Sequence, residues 1–479
     1  MSCVLQRIRN FIDQHSMVRG GTVLGVAVSG GADSLFLLNV LTRLAGELKV
    51  RLHILHLNHG LRGHESDFDA EFVQESGRVL GWPTTIDSVS LDPDGGNLEQ
   101  RAREARLDFF ARSQRMHALD RVATAHTRSD QAETVLYRLL RGSGTAGLSG
   151  IRPITSSGLV RPLLQIARPE VEEWLRANNL NWREDRTNLD LRFDRNRIRH
   201  HLIPILRADY SPSVTEILAA TAEVARDEED FWSAEIDRLL PEVVTKKKLS
   251  STTLNAEKLS SLGLAPARRL IRRVIGEVKG NMRSIDLIHV ERIRELALQA
   301  DGHGRLQVPG LDVFRSFEWL QVGTPREVSR ASLDYSYPVT VAAKASFHLP
   351  GPELAIFLER RQVGLSPANA IYNEVADDVA SESLVGPLEL RNWHPGDAID
   401  LPERGMKKIK ELFQEFRIPI WDRHLWPVLT CSERVVWSRF FGVAARNTVA
   451  EQTESVLRVL VRDLSSAQAV MNLRAEGHA

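Results

Sequence analysis

Only 2 cysteines occur in 479 residues, Cys3 and Cys431, and they lie far apart. Neither sits in a Cys-x-x-Cys pair or a Cys/His cluster, which argues against a structural zinc site, an iron–sulfur cluster and a disulfide framework. Long apolar runs are also missing: nothing approaches the ~20 residues of a membrane span. The first residues, MSCVLQRIRNFIDQH, have helical periodicity but not the apolar core and small-residue cleavage site of a secretory leader. The reading is a cytoplasmic protein with no membrane partner. Nor is one sign of charge in excess. Lys+Arg and Asp+Glu both total 62, so global charge gives no support to a nucleic-acid partner. What is present is ordinary for a folded protein, 43% hydrophobic and 26% charged. At roughly 100–200 residues per domain, the length suggests two to four domains.

The first ~200 residues alternate short apolar runs with helical patterns. VLGVAVS precedes SLFLLNVLTRLAGE; RLHILHLNH precedes a helix over about 66–80; RVATAH precedes QAETVLYRLLR. Such alternation predicts an α/β fold, a doubly wound parallel sheet with helices on both faces and ligands at the carboxyl ends of its strands. From about 212 the periodicity becomes helical (SVTEILAATAEVARDEEDFWSAEIDRLLPEV, PARRLIRRVIGEV, DLIHVERIRELALQ). From about 353 short runs such as LAIFLE and LELRNW suggest a small α+β domain. The expected organisation is a catalytic domain over 1–211, a helical domain over 212–330, a connector over 331–369, a C-terminal domain over 370–465 and a tail over 466–479.

Three clusters carry chemistry, and each ends a strand. The first is Ser29-Gly30-Gly31-Ala32-Asp33-Ser34. The glycines let the chain turn tightly and bring N–H groups to an anion, and the following helix adds its positive end. Asp33 would repel a phosphate unless a cation lay between, which points to Mg²⁺ bridging the two. No lysine follows the glycines, so this is not a P-loop of the GxxxxGK type. The second cluster is His56-Leu57-Asn58-His59-Gly60-Leu61-Arg62, open to two readings, nucleotide contacts or a polar loop. The third runs from Ala123 to Thr134. Thr127 to Asp130 fits a helix cap, and Asp130 and Glu133 share one helix face, suiting a metal or an ammonium group. Residues 266–294 hold 8 basic and 3 acidic residues; this patch is either a phosphate-binding surface or a solvated helix face.

SGGADS is similar to the loop of the PP-loop ATP pyrophosphatases, which cleave ATP between the α and β phosphates and adenylate a carbonyl oxygen. With HLNHGLR, Glu99-x-x-Ala102-Arg103-x-x-Arg106, AHTRSDQAET, RGSGTAGLSGI, RPLL and EDRTNLDLRFDRNRIRH following in order, the chain resembles the tRNA(Ile)-lysidine synthetase family. The likeness returns over 388–429. The resemblance implies ATP and Mg²⁺ as cofactors and, as partners, free L-lysine and a CAU-anticodon tRNA(Ile), whose wobble cytidine becomes lysidine. It admits a homodimer. It places Ser29, Gly30, Gly31, Ala32, Asp33 and Ser34 on ATP, Asp33 also on the metal, and His56, Asn58 and Arg62 near the nucleotide. Asp130 and Glu133, helped by Arg103, would bind lysine and accept its proton. tRNA contacts fall to Arg195, Arg197 and Arg199 (alternatively a support of the site), to Arg268, Arg269, Arg272 and Arg273, and to Lys407, Lys408 and Lys410.

Two positions depart from the family pattern. Thr127 stands where a second histidine is frequent, and VVWSRFFGVA carries an arginine and two phenylalanines in a plainer family segment. Rival readings are the tRNA 2-thiocytidine enzymes, which need cysteines for sulfur transfer or a cluster, and the NAD and GMP synthetases, which share the loop but not the later motifs. A non-catalytic RNA-binding protein would be expected to have lost Asp33 or the Asp130/Glu133 pair.

Overall fold

The computed structural model describes residues 3–60, 64–91, 98–183, 191–192, 194–299, 302–325, 334–340, 344–350, 354–363 and 375–463. The chain divides into two compact units, Met1–Ala234 and Glu235–Ala479.

The first unit is built on five parallel strands in the order β3-β2-β1-β4-β5: β1 Val23–Ala27, β2 Arg51–Asn58, β3 Thr84–Ser88, β4 Arg121–Ala123 and β5 Leu159–Val160. Side chains alternate across a strand. Leu24 and Val26 of β1, with Leu52 and Ile54 of β2, therefore face one core. That core holds α1 (Cys3–Gln14), α2 (Ala32–Leu48) and the later helix Arg168–Ala177. Leu55 and Val122 face the other core, closed by Phe109, Phe110 and Leu119 of α4 (Leu98–Met116) and the turn after it. α3 (His64–Leu80) lies between the two helices in sequence. Phe36, Leu37, Leu38, Leu41 and Leu44 of α2 are fully buried, each worth about 1.5–3 kcal/mol. The edge strands β3 and β5 have no counterpart in the sequence expectation; four of the five residues of TTIDS are polar and β5 is 2 residues long. The α/β doubly wound expectation describes this unit.

In the second unit the expectation of a helical domain over 212–330 needs correction. Helices Leu264–Lys279 and Leu287–Leu298 are present, but they cover a five-stranded antiparallel sheet made of Val244–Lys248, Ser251–Asn255, Trp319–Gly323, Leu311–Ser316 and His303–Val308. The first two strands read VTKKK and STTLN, too polar to announce themselves; burial alternates along the second and is contributed by the helices above it. The stretch 331–369 is not a mere connector either. Among its described residues, Ser336–Val339 joins the sheet of Leu388–Asn392 and Pro427–Cys431, while Lys344–His348 and Leu354–Gln362 pair into the sheet of Ser455–Asp463. Three segments thus belong to the C-terminal antiparallel sheets. The tail 466–479 lies outside the described residues. Among the described residues no helix is long and apolar enough to cross a membrane.

Candidate active site

β1 ends at Ala27, and Val28 N–H donates to Leu55 O at 2.9 Å, which carries the chain to the upper edge of the sheet. Gly30 then takes a φ of +89°, a region L side chains rarely adopt. Its carbonyl accepts from the Arg183 N–H at 3.1 Å. Gly31, extended, is the N-cap of α2 and supplies no side-chain cap, so first-turn donors are left for an anion. Ser34 knits the loop together. Its hydroxyl accepts from Ser29 N–H at 3.1 Å, stands 3.2 Å from Ser29 Oγ and donates to Gly31 O at 2.9 Å.

The loop floors a cavity of about 890 Å³. Arg103, Arg106, Arg161, Arg168, Arg183 and Arg199 reach its lining, as do Asp33, Asp69, Asp130 and Glu172. A wall so rich in guanidinium suits a polyphosphate. Asp33 sits in the first turn of α2 with its Oδ1 buried and without a hydrogen-bond partner. Burial, with help from Asp130 and Glu172, raises its pKa from 3.8 to about 6 against the pull of Arg168 and Arg199. An orphaned, desolvated carboxylate oxygen facing a phosphate-sized cavity fits a Mg²⁺ ligand. Among the described residues no group of three or more His, Cys, Asp or Glu side chains could hold a metal by itself.

From β2, His56 Nδ1 lies 2.8 Å from Val28 O and so carries the proton. That leaves Nε2 an acceptor, buried and unpartnered. Burial lowers the His56 pKa. His59 is similar: burial, then Arg106 and His56, bring it down to about 4, and its Nδ1 is also unpartnered. Asn58 lines the cavity but spends its amide locally, accepting from Gly60 N–H at 2.8 Å and donating to Asp67 at 3.1 Å. Arg62 lies outside the described residues.

The third cluster follows β4. Thr127 caps the helix Arg128–Leu140 (residues RSDQAETVLYRLL), with Asp130 and Glu133 on its inner face. Glu133 is buried, and burial followed by the Asp130 charge raises its pKa despite Arg199. Asp130 goes the other way: burial opposes ionisation, but His126, Arg199 and two hydrogen bonds from Thr127 outweigh it and hold the pKa low. Both carboxylates meet Arg199. Its Nε donates to Glu133 Oε1 at 2.6 Å, and its Nη2 to Glu133 Oε2 at 2.8 Å and Asp130 Oδ1 at 3.1 Å. Arg199 stands on a π-helical turn, Ile198–Leu202, a widening common at functional sites. Arg103 of α4 lines the same cavity and, after burial, helps lower the pKa of Arg161 to about 10.

The structure thus gathers Asp33, His56, Asn58, Arg103, Asp130 and Arg199 around one cavity, with Glu133 behind. Arg195 and Arg197 are exposed; Arg195 lies 6.0 Å over the Tyr137 ring and Arg197 pairs with Asp194. In the second unit, Arg268, Arg269, Arg272 and Arg273 lie on Leu264–Lys279, opposite its buried Leu270, Ile271, Val274 and Ile275. Arg268 pairs with Glu291, and Arg273 with Asp237 and Glu277; Arg272 is exposed. Lys407 and Lys408 end the strand Gly405–Lys408, and Lys410 opens the next helix. The sequence reading gave no role to Arg161, which opens the RPLL motif, and missed Arg168 and Arg183, which stand outside its clusters. His59, within a cluster, had a signal and was not singled out.

Family models match a PP-loop domain over residues 2–206, a TilS substrate binding domain over 254–321 and a TilS substrate C-terminal domain over 388–459. A tRNA(Ile)-lysidine synthase of Solibacter usitatus is 48% identical over 447 residues, covering 92% of this chain and 99% of that protein. Proteins of the same name from Symbiobacterium thermophilum and Geobacter sulfurreducens are 35% and 33% identical, over 96% and 97% of this chain and 98% of each relative. Among solved structures, a U34-tRNA thiolase from Methanococcus maripaludis aligns at a TM-score of 0.41 and 16% identity, covering 47% of this chain and 78% of that one.

Proposed function

The chain belongs to the tRNA(Ile)-lysidine synthases, ATP-using ligases that modify tRNA, and from that premise we propose how its residues perform the reaction. ATP lies in the 890 Å³ cavity with its β and γ phosphates on the Ser29–Ser34 loop and the first turn of α2. Asp33 would hold Mg²⁺, which would screen the phosphates from the carboxylate and stabilise charge on the leaving pyrophosphate. The wobble cytidine of the CAU-anticodon tRNA(Ile) presents its O2 to the α-phosphate. The O2–P bond forms, the α–β bridge breaks, and pyrophosphate leaves onto the loop. Arg168, close to Asp33, and the other cavity arginines disperse the charge that develops.

Free L-lysine then enters. Its ε-ammonium docks at the Asp130 end of the carboxylate pair, with Arg103 on the same wall, and gives up a proton there. The freed amine attacks C2, the C2–O2 bond breaks, and AMP leaves carrying O2. The product cytidine carries lysine at C2, so it pairs with A and the tRNA reads AUA. The basic face of Leu264–Lys279, the lysines 407, 408 and 410, and the exposed Arg195 and Arg197 serve as tRNA contacts. The work belongs to the cytoplasm, and a homodimer is compatible with it.

The observation that carries this reading is the set of orphaned atoms on one cavity: Asp33 Oδ1, His56 Nε2 and His59 Nδ1 are buried without partners in a wall otherwise dense with arginine. Buried polar groups are rarely left unmet unless a ligand meets them. The test is pyrophosphate release from ATP, with and without a CAU-anticodon tRNA(Ile) transcript, in the absence of lysine. Release that depends on the transcript is expected. Release indifferent to the transcript would overturn adenylation of the tRNA as the first step.

A further inference from the structure

The two carboxylates that share the inner face of the Arg128–Leu140 helix are not equivalent. Glu133 is almost wholly enclosed, its side chain 4% exposed, and does not line the cavity. Both of its oxygens accept from Arg199, at 2.6 and 2.8 Å, in the bidentate geometry that fits a guanidinium to a carboxylate. Asp130 lines the cavity with a side chain 24% exposed. One oxygen, Oδ2, is fixed by the N–H and hydroxyl of Thr127, both at 2.8 Å. The other, Oδ1, has among the described residues a single longer contact, 3.1 Å with Arg199.

Resting on the lysine-ligating reading above, we propose that Asp130 alone meets the substrate ammonium, and that Glu133 is a positioning residue whose charge serves to neutralise and aim Arg199. An ammonium group arriving at Asp130 must approach a fixed guanidinium, a like charge about as near to Asp130 as the ammonium itself will be. Only a carboxylate already spent on that guanidinium leaves the Asp130–Glu133–Arg199 group with one net negative charge. Glu133 is that carboxylate, and it has neither the exposure nor a free oxygen to serve the substrate as well. Arg199 takes one lone pair of Oδ1 while Thr127 holds Oδ2, which leaves the second lone pair of Oδ1 for a donor from the cavity.

A positioning role and direct binding differ in what a second substitution does. Removing Glu133 alone leaves Arg199 uncompensated beside Asp130 and repels lysine; removing both members of the pair restores the balance. The experiment measures KM for lysine and kcat of ligation to tRNA(Ile) in full-length Glu133→Gln, Glu133→Gln/Arg199→Gln, Asp130→Asn and Asp130→Asn/Arg199→Gln, beside an active wild type. Expected is a rise of about tenfold or more in the lysine KM for Glu133→Gln, brought back to within about threefold of wild type by the second substitution. Neither Asp130 variant should recover. Because replacing a buried ion pair as a unit is commonly tolerated, the apolar pair Glu133→Leu/Arg199→Met carries the same comparison if the amide pair proves unstable. Failure of both paired variants to improve on Glu133→Gln, or an unchanged lysine KM in Asp130→Asn, would overturn the assignment. A wild type that joins no lysine at all would instead indict the functional reading on which it rests.

Discussion

Thr127 donates twice to one oxygen of Asp130, from its backbone N–H and from its hydroxyl, each at 2.8 Å. In return, the Asp130 N–H lies 3.4 Å from Thr127 Oγ1, completing a capping box at the helix that carries the site. Here a hydroxyl does the capping. Thr127→Val keeps the shape and loses the cap. We expect a loss of about 1 kcal/mol, seen as a lower melting temperature, together with a higher lysine KM as Asp130 loosens. Thr127→Ser should restore both. An unchanged lysine KM in Thr127→Val would separate the cap from the site.

Asp33 makes stability depend on pH. Its carboxyl titrates at about 6 in the folded chain against an ordinary value of 3.8, burial being the main cause. A carboxyl raised on folding opposes the folded state when ionised. That penalty is absent at pH values below 3.8, grows through 6 and is complete above it. Asp33→Asn should therefore stabilise the ligand-free protein at pH 7.5 by up to roughly 3 kcal/mol, with the gain shrinking toward zero near pH 4. Urea titrations at several pH values read this directly; a gain independent of pH would contradict the desolvated carboxylate.

The same residue separates the metal from the nucleotide. In the wild type, Mg²⁺ added with ATP should raise the melting temperature above that with ATP alone, and EDTA should remove the increment. In Asp33→Asn the increment should vanish, and pyrophosphate release should fall by several orders of magnitude. A Mg²⁺ increment surviving in Asp33→Asn would move the cation to other ligands.

The basic helix Leu264–Lys279 gives a graded expectation. Arg268 and Arg273 already pair with acidic neighbours, whereas Arg272 is exposed. Arg272→Ala should weaken tRNA binding at low salt and reduce the slope of log affinity against log salt by about 1. Arg268→Ala should change the slope less. An unaltered slope with Arg268, Arg269, Arg272 and Arg273 all neutralised would return the helix to a solvated face.

The parts of this molecule legible in its sequence are those governed by local rules. The run from Leu24 to Val28, the glycines after it and the helix from Ala32 announce strand, turn and helix within a dozen residues. The spacing of Asp130 and Glu133 places them on one helix face without further information. The five-stranded sheet of the second unit escaped because VTKKK buries no residue and STTLN buries only Thr252 and Leu254, so neither shows an apolar strand pattern. Arg199 was read as a tRNA contact or a support, and no spacing rule joins it to Glu133 across 66 residues of chain. Arg168 and Arg183 were missed for the same reason: the fold, not a motif, brings them to the loop.

The most direct test of the whole account is incorporation of labelled L-lysine into a CAU-anticodon tRNA(Ile) transcript, with and without ATP, beside the initiator methionine tRNA and the Asp33→Ala variant. Labelling is expected of the isoleucine transcript only, only with ATP, and only by the wild type. Labelling that persists in Asp33→Ala, or AMP release without lysine transfer in the wild type, would contradict it.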